Sequence, residues 1–238
     1  MNSKLVENGN REAGPMAVSV ENMIFQYPSA KKPTIRIRKL NIATGEHVFL
    51  HGPSGCGKTT LLGLLAGILE PTAGSLFVLG QPFHSLKGSA KDRIRACKFG
   101  YIFQMFNLIP YLTAHENIAL PCWLTPSRFP HGTKALEQEV FRLAQSLGID
   151  DLLDRNVTEL SVGQQQRVAA ARSLIGSPEL IVADEPTSAL DTDHREAFLK
   201  ALFDQCGQVG ATLIFVSHDR TLMPLFQRKV SLAELNEA

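Results

Sequence analysis

Val48-Phe49-Leu50-His51-Gly52-Pro53-Ser54-Gly55-Cys56-Gly57-Lys58-Thr59-Thr60 is the stretch whose reading decides the fold class. Val48–Leu50 reads as a short buried strand, and the residues from Lys58 through Leu65 as a helix. Between them, Gly52 to Thr59 satisfies G-x-x-x-x-G-K-[ST] in the strand–loop–helix setting that this pattern requires. Glycines let the loop fold tightly enough for successive N–H groups to face an anion. The helix start adds the positive end of its dipole. Lys58 supplies a point charge suited to β- and γ-phosphates, and Thr59 a hydroxyl suited to Mg²⁺. Gly52, Ser54, Gly55, Cys56, Gly57, Lys58, Thr59 and Thr60 are thus candidate nucleotide-binding residues. A glycine-rich turn without a ligand is the alternative, and the Lys-Thr ending argues against it. Cys56 is either a small filler or a thiol made more reactive by the helix dipole.

A second apolar strand, Leu180-Ile181-Val182-Ala183, ends in Asp184-Glu185-Pro186. Asp184 suits Mg²⁺, usually through water. Glu185 would face the γ-phosphate and polarise the attacking water, help worth about 10²–10⁴ in rate. An Asp-Glu pair after a strand is commonly only a solvated loop. Together with the phosphate loop it carries weight.

Outward from these segments, Val18–Asn22, Ser75–Leu79, Tyr101–Phe103 and Thr212–Val216 read as strands and Arg195–Phe203 as a helix. Strands alternating with helices predict an α/β core on a largely parallel sheet. Thr113–Leu120, Lys134–Leu147 and Val162–Leu174 read as helices, the second with apolar residues 136, 140, 143, 144 and 147 on one face. Pro121, Pro126 and Pro130 mark a loop between them. The stretch of about 105–175 therefore reads as a helical insertion between core portions 16–104 and 176–238. Met1–Pro15 is polar and reads as a disordered tail rather than a signal.

The 238-residue length suits one domain. A net charge of +1 gives no general attraction to nucleic acid, and no nucleic-acid partner is expected. Cys56, Cys97, Cys122 and Cys206 are too scattered for a zinc site or a disulfide framework. No apolar run approaches the roughly 20 residues needed to span a bilayer. The expectation is a cytoplasmic protein that meets a membrane only through another subunit.

From about residue 17 to 235 the chain resembles the ATP-binding-cassette (ABC) family, whose motifs appear here in order. Gln104 in Tyr101-Ile102-Phe103-Gln104 matches the Q-loop, and Leu160-Ser161-Val162-Gly163-Gln164 the signature motif. Ser188-Ala189-Leu190-Asp191 matches the D-loop, Ser217-His218-Asp219 the switch histidine, and Tyr27 the aromatic residue that stacks on adenine.

The resemblance implies a P-loop NTPase core with an N-terminal antiparallel β portion and a helical subdomain. Glu185, His218 and Gln104 would be catalytic, and Thr59, Gln104 and Asp184 would hold Mg²⁺. Tyr27, Ser161, Gly163, Gln164 and Asp191 would join the phosphate loop in binding ATP. It implies an ATP-dependent homodimer that sandwiches two nucleotides. Where the family's usual signature has glycine, this chain has Val162, which would be strained if the position required φ > 0.

Phe99–Pro121 resembles the bacterial branch of lipoprotein-release, macrolide-efflux and cell-division ATPases, which implies a membrane permease partner. Met105, Phe106, Leu108, Ile109, Tyr111 and Leu112 form either the insertion's core or a groove for a cytoplasmic helix of that partner. A regulatory module that signals without moving cargo is the competing function. A soluble ATPase of DNA repair or translation is disfavoured, since the chain lacks a second cassette, a coiled-coil insertion and zinc cysteines.

Overall fold

A computed structural model describes residues 15–188 and 192–238. Two sheets carry the fold. The first is antiparallel, in the order β2-β1-β4-β5, from β1 (Met16–Phe25), β2 (Ile35–Ala43), β4 (Ala73–Val78) and the two-residue β5 (Gln81–Pro82). The second is parallel, in the order β6-β7-β8-β3-β9. Its strands are β3 (His47–His51), β6 (Phe99–Ile102), β7 (Leu180–Asp184), β8 (Thr212–Val216) and β9 (Arg228–Ser231). The helices are α1 (Lys58–Leu65), α2 (Gly88–Lys98), α3 (Ala114–Leu124), α4 (Thr133–Ser146), α5 (Val162–Leu174), α6 (Thr192–Val209) and α7 (Leu232–Leu235). Among the described residues no helix is long and apolar enough to cross a membrane.

The apolar runs in the parallel strands follow from burial on both faces. Successive residues point to opposite sides, so the central strands β3, β7 and β8 each serve two cores. Val48, Leu50, Leu180, Val182, Ile214 and Val216 join α1 and the antiparallel sheet. Phe49, Ile181, Ala183, Leu213 and Phe215 face α3, α4, α5 and α6. The apolar face read on α4 is buried at Leu136, Val140, Leu143, Ala144 and Leu147. It belongs to the same continuous cluster as that second sheet face.

The expected α/β architecture is present, with several boundaries moved. β6 begins at Phe99 and ends at Ile102, leaving Phe103 outside, because parallel pairing runs from Phe99↔Leu180 to Ile102↔Ala183. Gly100 is needed within it: a Cβ there would stand 2.2 Å from the Ser173 carbonyl oxygen of α5. Pro121 is not in a loop. α3 runs through it to Leu124, with Thr125 N–H donating to the Pro121 carbonyl, and Cys122 is buried in the core. α6 extends well beyond Arg195–Phe203 at both ends. β2 is absent from the sequence reading although its Ile35 and Ile37 alternate with exposed Arg36 and Arg38, the pattern of a strand with one buried face. The expected tail up to residue 14 lies outside the described residues.

Candidate nucleotide site

Parallel strands end on one edge of a sheet, and the register brings four loops together there. Leu50 and Asp184 both pair with Val216, and Ala183 pairs with Ile102. The chain leaving β3 carries Gly52, that leaving β6 carries Gln104, and that leaving β8 carries His218. Asp184 and Glu185 sit at the end of β7. With strands about 4.8 Å apart, these loops are neighbours. Ser217 N–H donates to the Leu50 carbonyl at 3.2 Å, and Glu185 N–H to the Val216 carbonyl at 2.8 Å.

In the phosphate loop, Gly57 takes φ 99 as the residue before α1 and offers no side-chain cap. That leaves the first-turn N–H groups of α1, beginning at Lys58, to satisfy an anion. A Cβ at Gly57 would also lie 2.7 Å from Ile35 Cδ1, so glycine is required both by conformation and by space. Lys58 Nζ donates to the carbonyls of Gly52 and Pro53 at 2.9 and 3.1 Å, which folds its ammonium back over the loop. Cys56 is half-buried, and Thr59 is exposed.

Thr60 is buried, and its hydroxyl lies 3.3 Å from that of Tyr27. The Tyr27 ring meets Phe25 edge-on at 4.8 Å and is 38% exposed. An aromatic surface therefore stands beside the glycine-rich loop.

The two carboxylates sit in different environments. Burial raises the Asp184 pKa, the Glu185 charge raises it further, and Lys58 opposes both. Tyr101, on the neighbouring strand, is pushed up to about 12 by burial and then by the Asp184 charge. Glu185 adopts φ 47, a left-handed conformation uncommon outside glycine. Its backbone bond to Val216 holds this turn, and the carboxylate lies 2.6 Å from His218 Nδ1. Asp219 accepts hydrogen bonds from Thr221 and lies 2.6 Å from Arg195 NH1. Gln104 is exposed just beyond β6.

Ser161 is the N-cap of α5 and is exposed. Its Oγ accepts from Gln164 N–H, and its own N–H donates to Gln164 Oε1 at 2.9 Å, a reciprocal capping box. The Gln164 side-chain oxygen is thereby committed to shaping the helix start. Val162 is the first helical residue and is not among the positive-φ residues, so a β-branched side chain is unstrained there. Gly163 follows it inside the helix. Asp191 lies outside the described residues.

The apolar segment after Gln104 divides between the two readings. Phe106 is buried and Leu108 packs on the core, whereas Met105 and Tyr111 are 81% and 78% exposed. The cavity of about 320 Å³ nearby is lined instead by Tyr101, Phe103, Leu120, Leu124, Arg128 and Arg172, among others. The two arginines were missed in the sequence. An Arg following Ala169-Ala170-Ala171 was the available signal, since small residues allow close helix packing and a cation there then needs acceptors.

The ABC transporter family model matches residues 36–188. The chain is 40% identical over 187 residues to the uncharacterized ABC transporter ATP-binding protein YbbA of Escherichia coli K12, covering 77% of this chain and 79% of that one. It is 37% identical over 194 residues to the lipoprotein-releasing system ATP-binding protein LolD 2 of Rhodospirillum rubrum, covering 82% and 83%. A dimeric structure of the ATP-binding cassette MJ0796 in a post-hydrolysis state with ADP and Pi superimposes with a TM-score of 0.82. It is 32% identical to this chain and covers 93% of it, and 97% of itself.

Proposed function

This chain belongs to the ABC transporter family as an ATP-binding subunit, and we propose that two copies close around two Mg·ATP to drive a permease of the lipoprotein-release or macrolide-efflux type. As a member of that family it binds and hydrolyses ATP. The observation that carries the reading is the convergence of Lys58, Gln104, Asp184, Glu185 and His218 at adjacent strand ends. Ser161 meanwhile opens α5 at an exposed position. The likeness to LolD 2 and to a dimeric cassette supports the permease class and the pairing.

In this mechanism the uncapped start of α1 and the loop glycines receive the phosphates. Lys58 exchanges its loop carbonyls for β- and γ-phosphate oxygens, and Tyr27 lies under the adenine. Thr59, Gln104 and Asp184 offer oxygen donors of the kind Mg²⁺ prefers and would hold it, and the ion would supply charge neutralisation for phosphoryl transfer. Glu185 orients and polarises the attacking water, and His218 holds the Glu185 carboxylate and reaches for the γ-phosphate. Ser161 and Gly163 of the second copy complete the γ-phosphate contacts, and Asp191 couples the two sites. Loss of the γ-phosphate removes the contacts that bridge the copies and opens the pair. The helical stretch 105–175 turns with Gln104, and the groove beside Phe103 and Leu124 receives a cytoplasmic helix of the permease. The protein works at the cytoplasmic face of the membrane, attached through that partner.

Glu185→Gln tests this reading. It should abolish turnover and accumulate an ATP-bound dimer by light scattering. A protein that stays monomeric in saturating ATP would exclude the two-copy site.

A further inference from the structure

α5 carries Ser161 at its start and Arg172 in its last turn. Arg172 reaches back to the chain that follows Gln104. Its NH1 donates to the Asn107 carbonyl at 2.7 Å and its NH2 to the Phe106 carbonyl at 2.5 Å. Phe106 and Asn107 have φ 59 and 49, two successive non-glycine residues in the left-handed region. Such a pair persists only where its surroundings over-determine it. Phe106 is buried and anchors the turn to the core, while Asn107 is exposed. Burial lowers the Arg172 pKa, so its charge needs acceptors there, and the two carbonyls supply them.

We infer that Arg172 is a positioning residue that holds the Phe106–Asn107 turn and so makes the Gln104 loop and the Ser161 helix one moving body. The inference rests on the roles proposed above for Gln104 and Ser161. A shift of the Gln104 loop on meeting nucleotide is then passed along the rigid α5 to Ser161, which serves the nucleotide held by the other copy. Without the guanidinium fork, the turn relaxes out of the left-handed region and absorbs the shift locally. Arg172 and Asn107 also line the groove beside Phe103, so a partner docked there acts on the same link.

The test uses the full chain in the Glu185→Gln background, with two readouts: ATP affinity at dilutions below dimerisation, and the ATP-driven dimerisation constant. Arg172→Lys keeps the charge but loses the fork. Asn107→Val alters an exposed residue and resists positive φ through its branched side chain. Each should weaken dimerisation about tenfold and leave monomer ATP affinity within about twofold. Adding Asn107→Gly to Arg172→Lys should recover dimerisation to within about threefold of the parent, since glycine takes the left-handed turn freely.

Dimerisation unchanged by Asn107→Val overturns the inference, even where Arg172→Lys does not fold. A lysine variant that dimerises like the parent also overturns it, as does one that Asn107→Gly leaves impaired. A Glu185→Gln parent that is itself monomeric in ATP removes the two-copy reading and this inference together. A dimerising parent with unaffected variants removes the inference alone.

Discussion

His218 Nδ1 stands 2.6 Å from Glu185 Oε2, although the two residues lie 33 positions apart in the chain. A carboxylate oxygen accepts, so Nδ1–H is the donor here, and Nε2 donates to a phosphate oxygen only on a ring that carries a second proton. The imidazole thus orients the carboxylate that sits at the strained turn after β7.

His218→Ala should lower kcat by about 10²-fold, at the lower end of what a positioned acid–base pair contributes, with KM for ATP changed less than about threefold. Steady-state ATPase kinetics check this. An unchanged kcat would show that Glu185 needs no orienting partner.

Arg128 is buried and donates to four carbonyls: Ile175 at 2.9 Å, Ala96 at 3.0 Å, Phe99 at 2.7 Å and Ser173 at 3.3 Å. It thereby ties the α3–α4 connection to the ends of α2 and α5 and the start of β6. Burial lowers its pKa. Arg128→Met should leave these acceptors unsatisfied at a net loss of about 3 kcal/mol. For a domain of this size that is roughly 6–12 °C in Tm. A thermal melt that moves by less than about 2 °C would contradict the role.

Asp219 caps the short helical turn Arg220–Leu225. Its pKa is lowered first by the Thr221 side-chain hydroxyl, then by the Thr221 N–H, Arg195 and His218, against the opposing effect of burial. A depressed carboxylate contributes stability above its unfolded pKa and loses it as pH falls through the folded value. Asp219→Ala should therefore lower Tm by about 2–4 °C at pH 7, the effect of losing a cap worth about 1 kcal/mol. The gap between variant and parent should close as pH falls below the ordinary 3.8. Melts across pH 3–7 decide it, and a gap constant with pH would assign the loss to packing.

That the glycine-rich loop, Asp184–Glu185, Gln104, Ser161 and His218 stand at strand ends or helix starts was legible, because each belongs to a local pattern. The α5 bounds were legible too, since Ser161 and Gln164 cap a helix within four residues. Pro121 misled because its missing N–H argues for a loop. Packing of α3 around buried Ile118 and Cys122 outweighed that local preference. The Val162 question had no answer in sequence, since the backbone conformation of a cap depends on where the helix begins.

By itself the sequence determined the glycine-rich strand–loop–helix and the strand–helix alternation, since these depend on interactions within a few residues, and it supplied the side chains proposed above to react. Only the tertiary structure decided which groups meet. His218 against Glu185, Arg172 on the Phe106–Asn107 turn and Arg128 on its four carbonyls join residues 29 to 66 positions apart. Contacts at that separation are set by strand order and helix packing, which bury a cation or aim a carboxylate without leaving a periodic trace in the chain.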